Sequence, residues 1–167
     1  MKFKRRKLLF EAGIDDALLH WLQDGKARSF LKEKFGGDFN FKPLCPEVSR
    51  AICARAIEEF FPSSKSIESV VVQSLLLTDT LDTSINTKGI VIPITTQGHV
   101  VVKYGDLLFD FTIQQFQIAS ERPEQPVEYM KYIPDKCPVV FQRSGSFNQY
   151  VYDLDQDSDY KYLIIEI

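Results

Sequence analysis

Soft, ligand-forming side chains are scarce in this chain, which has two histidines and three cysteines among 167 residues. An odd cysteine count does not build a disulfide framework, and Cys45, Cys53, Cys137, His20 and His99 lack the close-set pairs that hold zinc. The expectation is no metal and no other cofactor. Long apolar runs are missing too. No stretch approaches the ~18 apolar residues of a membrane helix. Leu8-Leu9-Phe10 stops at Glu11, short of the roughly 7–15 residues of a signal-peptide core. A cytoplasmic place and no membrane partner are expected, with export by a route lacking an ordinary signal left open. Nor is there a surplus of one charge: the formal net charge is −3 and the sequence pI about 5.4. A basic stripe of Lys2, Lys4, Arg5, Arg6 and Lys7 is followed at once by Glu11, Asp15 and Asp16, so its field is local. It reads as a solvated helix end, and no nucleic-acid partner is expected. A Gly-rich phosphate loop and a Gly-x-Ser-x-Gly elbow are both absent.

What is present is core material. Hydrophobic residues make up 44%, with thirteen Phe, seven Tyr and one Trp. A chain of this length fits one domain and buries roughly two-thirds of its unfolded surface without a staple. Residues 1–167 are read as a single domain, with a helical region at 1–37, a candidate catalytic core at 40–116 and a C-terminal β region at 117–167.

Ile14, Ala17, Leu18, Trp21 and Leu22 recur at helical spacing, Asp15 and Asp16 suit the first turn of that helix, and Gly25 suits its end. A short helix over 27–35 is closed by Gly36-Gly37. Pro46 suits the first position of a third helix, whose inner side carries Val48, Ala51, Ile52, Ala56, Ile57 and Phe60 and which Pro62 ends. After Pro62 the pattern turns to strands, expected over 69–77, 89–94, 99–104, 107–113, 138–142, 149–154 and 160–167. Residues 121–134, with three prolines, read as a surface loop. Helices first and strands afterwards predict an α+β class: N-terminal helices packed on a mainly antiparallel β-sheet.

With Pro46 as the first helical residue, Cys45 falls at the N-cap, where unpaired N–H groups and the helix dipole favour a thiolate. Those N–H groups also suit an oxyanion hole. The plainer reading, a small buried thiol at a loop-to-helix joint, stays open beside it. Cys53 lies inside the helix and reads as core; Cys137 reads as inert. A two-residue hairpin loop at Gly105-Asp106 pairs Tyr104 with Leu107 and Val101 with Asp110. His99 and Asp110 then share a face as diagonal neighbours, within reach of an imidazole and a carboxylate. An acid inside Leu107-Leu108-Phe109-Asp110-Phe111 needs a partner, and orienting a histidine would supply one. Binding backbone N–H groups at a strand end is the other open reading. His20 reads as structural, on the rim of the first helix. The alternation Asp153, Asp155, Asp157, Asp159 resembles a calcium loop but has Ser158 at the glycine position and Ile164 in place of the final Glu, so it reads as an acidic hairpin turn.

Cys45 opening a helix, His99-Val-Val-Val before a short Gly turn, then Phe109-Asp110-Phe111-Thr112 and Gln115-Phe116, resembles papain-like and transglutaminase-like enzymes over residues 40–116. The resemblance implies a core of that kind, with Cys45 as nucleophile, His99 as general base and acid, and Asp110 as the residue that orients it. It also asks for a side-chain donor to the oxyanion, for which Asn40 is the candidate. The function so implied is cysteine-dependent acyl transfer on an amide bond of a protein or peptide substrate: a thiol protease, a protein-glutamine deamidase or a transglutaminase. The alternative is a catalytically inactive domain of the same kind that binds protein. The oligomeric state is left open.

Overall fold

Residues 15–78, 91–93, 98–117, 133–144, 148–153 and 160–167 are described by the structure, a computed structural model. The basic stripe at 2–7, Ile14, Asp155 to Asp159 and most of the proline-rich stretch lie outside them.

Asp15 caps helix α1 (Asp16–Gln23), its carboxylate accepting from the Ala17 and Leu18 N–H groups. Leu18, Leu19, Trp21 and Leu22 are buried. Leu19, not the expected Ala17, completes the apolar face, since Ala17 is exposed. Helix α2 (Lys26–Phe35) follows after Gly25. A single 3₁₀ turn (Phe39–Phe41) then buries Phe39 and leads into α3 (Cys45–Phe60). Leu44, and not Cys45, is the N-cap of α3, so the cysteine opens the first turn. Ile57 also departs from expectation: it is 48% exposed, while Val48, Ala51, Ile52 and Ala56 face the core.

Among the described residues seven strands follow: β1 (Glu68–Thr78), β2 (Val91–Pro93), β3 (His99–Tyr104), β4 (Leu107–Asp110), β5 (Val139–Arg143), β6 (Gln149–Asp153) and β7 (Tyr160–Glu166). Every pairing is antiparallel. The class is α+β as expected, with one addition. The sheet does not stay open: β7 returns to pair with β1, from Val72↔Glu166 to Thr78↔Tyr160, and closes a six-stranded barrel, with β2 added beside β1. The C-terminal strands therefore complete the sheet that β1, β3 and β4 begin.

Strand alternation sorts side chains onto two cores. Val72, Val101, Leu108, Val139, Phe141, Tyr150 and Ile164 fill the barrel. Val102, Tyr104, Phe109 and Phe111 face outward and pack against α1, α2 and α3. Tyr104 also ties the layers together, its hydroxyl accepting from the Asp15 N–H at 2.7 Å and donating to the Ser63 carbonyl at 3.1 Å. No described helix is long and apolar enough to cross a membrane.

The fourth strand ends earlier than expected, at Asp110. Its carboxylate accepts from the Thr112 N–H at 3.0 Å, a local turn that takes the chain out of the sheet. Residues Ile113–Gln117 then form a 3₁₀ helix.

Candidate active site

The β3–β4 hairpin sets the geometry of the site. Gly105, with φ of 61°, takes the first position of the two-residue loop, a left-handed conformation that glycine adopts without strain. The register is Tyr104↔Leu107, Lys103↔Leu108 and Val102↔Phe109. One step further, His99 and Asp110 fall on the barrel-interior face at the end of the hairpin away from the loop. Gly98 leads into β3 with φ of 86°, and a Cβ there would stand 3.2 Å from Val71 Cγ1. A larger residue would disturb the strand entry that aims His99.

His99 and Asp110 are both buried. The imidazole Nε2–H donates to Asp110 Oδ2 at 2.7 Å, and Oδ1 of the same carboxylate takes the Thr112 N–H. Both readings of Asp110 thus hold together: it binds a backbone N–H and a histidine, one through each oxygen. The Phe116 ring packs edge-on against the imidazole, with centroids 5.1 Å apart. With Nε2 committed to Asp110, Nδ1 is the nitrogen left for Cys45.

Cys45 is half-buried at the start of α3. The helix is fixed against the strand beside it: Ser49 Oγ donates to the Val100 carbonyl at 3.3 Å. Burial pushes the Cys45 thiol up, but the hydrogen bond and positive charge of His99, the Val100 N–H and the Gln115 amide outweigh it, leaving the thiol below its ordinary value. Burial likewise works against a charged His99. The Asp110 carboxylate, by charge and hydrogen bond, and Cys45 after it overcome that and raise the imidazole from 6.5 to about 9. The two shifts favour a thiolate beside an imidazolium.

The other cysteines behave differently. Burial raises Cys53, whose sulfur lies 3.7 Å from Ser69 Oγ. Burial also pushes Cys137 up to about 12, with its S–H donating to the Phe111 carbonyl at 3.3 Å. His20 lies on the exposed side of α1, paired with Asp24. Among the described residues, no group of three or more His, Cys, Asp or Glu is placed to hold a metal.

The structure therefore brings Cys45, His99 and Asp110 together. Asn40 is engaged elsewhere: its amide donates to Gln114 Oε1 at 3.2 Å, and Gln114 in turn donates to the Pro134 and Lys136 carbonyls, each at 2.7 Å. That buried network pins the 3₁₀ turn before α3 to the one after β4. The amide beside the thiol belongs to Gln115, a residue within the sequence resemblance to which sequence reasoning gave no role. Its Nε2 lies 3.4 Å from His99 Nδ1 and 3.2 Å from Thr112 Oγ1. The only sequence signal for it was its place five residues after the acid.

No family model, no curated protein and no solved structure matches this chain.

Proposed function

We propose that the chain is a cysteine-dependent acyl-transfer enzyme acting on an amide bond. The observation that carries this reading is the hydrogen bond from His99 Nε2 to Asp110, which leaves Nδ1 for Cys45, the ring's other hydrogen-bond partner. The Cys45 thiolate attacks the amide carbonyl, forming a C–S bond as the carbonyl pair moves to oxygen. Collapse breaks the C–N bond, and His99 Nδ1 gives its proton to the departing nitrogen. Water or an amine, giving a proton to the same Nδ1, then attacks the acyl carbon, the C–S bond breaks, and the thiolate beside the imidazolium is restored. An imidazole raised to about 9 is protonated at neutral pH, which suits amide nitrogen, a leaving group that departs only when protonated. Peptidase, protein-glutamine deamidase and transglutaminase all share this chemistry. The same set of roles, met in the order Cys, His, Asp, supports the papain-like or transglutaminase-like relationship, and the closed barrel is a feature of this chain.

The test is the pH dependence of iodoacetamide alkylation at each cysteine, read by peptide mass, in wild type and His99→Ala. Cys45 should react well below the pH at which Cys53 and Cys137 do, and should lose that advantage without His99. Glutamine-amide and peptide probes then separate the three activities. If Cys45 titrates as an ordinary thiol and ignores His99, the acyl-transfer reading falls and the protein-binding alternative takes its place.

A further inference from the structure

Acyl transfer through Cys45 needs a donor for the oxygen that becomes negative, and the residue first suited to that role by sequence, Asn40, spends its amide on Gln114. The amide of Gln115, next to Gln114 in the chain, lies instead at His99. Gln115 is 7% exposed and sits in the 3₁₀ helix that begins after Thr112. Its Nε2 carries two N–H groups. One points at Thr112 Oγ1, 3.2 Å away, and this holds the amide plane fixed. The second faces the Cys45–His99 pair, with Nε2 3.4 Å from His99 Nδ1.

That second N–H meets different partners as the proton moves. When Nδ1 is protonated it is itself a donor, and two donors do not bond one another; the Gln115 N–H is then left to the sulfur. Once the sulfur has formed its bond to carbon it is no longer an anion. The nearest negative atom is then the former carbonyl oxygen, attached to the same carbon.

Resting on the acyl-transfer reading above, we infer that Gln115 is the side-chain oxyanion donor of this site, held in place by Thr112 and working with the unpaired N–H groups at the start of α3. The backbone half of the hole follows from helix geometry, because the first N–H groups of α3 have no intrahelical acceptor. Gln115 thus takes the role that the sequence reading gave to Asn40.

Two reagents that attack the same sulfur separate this role from a structural one. p-Nitrophenyl acetate acylates a thiolate through a tetrahedral oxyanion: the C–S bond forms, the oxygen carries the charge, and p-nitrophenolate departs as an anion. Iodoacetamide alkylates by displacing iodide and builds no oxyanion. Both rates are read at Cys45 by peptide mass in wild type, Gln115→Ala, Gln115→Met and His99→Ala. Gln115→Met keeps the side-chain length without the N–H groups, so the result does not depend on one cavity-forming variant folding. Removing a single oxyanion donor lowers acyl transfer by about 10²–10³, and with a good leaving group we expect a loss of about 10-fold or more. Alkylation builds no oxyanion and loses only the hydrogen bond to the thiolate, so it should fall clearly less than acylation does. If acylation and alkylation fall together, or neither falls, Gln115 is not the oxyanion donor. The His99→Ala arm fails separately: if Cys45 reacts alike with and without His99, the acyl-transfer reading itself is overturned, and this inference with it.

Discussion

Asp110 carries two obligations on one carboxylate. Oδ2 takes the His99 Nε2–H and Oδ1 takes the Thr112 N–H, and both oxygens are buried. An asparagine has a single oxygen, so Asp110→Asn must turn its NH₂ group toward one of these two donors. The folded state should lose about 1–3 kcal/mol, the cost of one buried donor left unsatisfied, measured by urea unfolding at pH 7. The variant should also show a lower imidazole pKa. Burial disfavours the His99 cation and Asp110 is the main influence opposing it, so the value should drop from about 9, as followed by the His99 ring resonance in an NMR titration. The stability linkage has a definite direction. A value of about 9 in the fold against 6.5 unfolded means that the charged imidazole stabilises fully below pH 6.5, and that this contribution is lost as pH rises through 9. Asp110→Asn should flatten that stretch of the stability–pH curve. A curve of unchanged shape would mean that Asp110 does not hold the imidazole charged.

At the scale of elements, α3 is what carries the cysteine to the strand. Its hold on the sheet comes from a strip of small and branched side chains, with Val48, Ile52 and Ala56 each 1% exposed or less. Ile52 lies seven residues, about two turns, beyond Cys45 and on the buried side. Ile52→Ala should cost about 2–5 kcal/mol by chemical denaturation. It should also make Cys45 alkylation less sensitive to His99, because a loosened helix lets the sulfur drift from the ring. A destabilised variant that kept full His99 dependence would show that Ser49 and the first turn suffice to seat the thiol. These elements were largely legible in the sequence. The hairpin from His99 to Asp110 follows from a glycine in a two-residue loop between apolar runs, and the side-by-side placement of acid and base follows from period-two alternation. What local pattern could not show was where β4 stops. Leu107 to Ile113 is apolar enough to continue as a strand, but the Asp110 carboxylate captures the Thr112 N–H and bends the chain into the 3₁₀ helix that delivers Gln115. The helix start was misplaced by one residue for a similar reason: Pro46 tolerates either of the first two positions, and Leu44 has no capping side chain to mark the boundary.

Barrel closure belongs to the whole molecule, and it was not legible because pairing β1 with β7 joins segments far apart in the chain, while hydrophobic alternation reports only on neighbours. The closure gives the β3–β4 hairpin two chemically distinct ends. At one lie His99 and Asp110. At the other, Lys103 donates to both Glu166 oxygens at 3.3 and 3.0 Å, Tyr150 donates to Glu166 at 3.3 Å, and Arg143 donates to Tyr150 at 2.6 Å and to Asp106 at 2.8 Å. This network links β3, β5, β6 and β7 near the loop end of the hairpin. Along β3, His99 and Lys103 are four residues apart, about 13 Å in an extended strand, whereas Glu166 and His99 flank Val72 from opposite sides, two strand spacings or about 10 Å apart, at the edge of the range in which separate sites act independently. Glu166→Gln keeps one acceptor and removes the charge, so it should cost about 1–3 kcal/mol. The cost should shrink in high salt, because Lys103 and Glu166 are each only about four-fifths covered. Cys45 should keep its alkylation profile in this variant. Combined with Asp110→Asn, the two losses should add to within about 0.5 kcal/mol in a double-mutant cycle. A larger coupling would mean that the barrel transmits strain along its strands, and that the loop-end network helps to position the histidine at the far end.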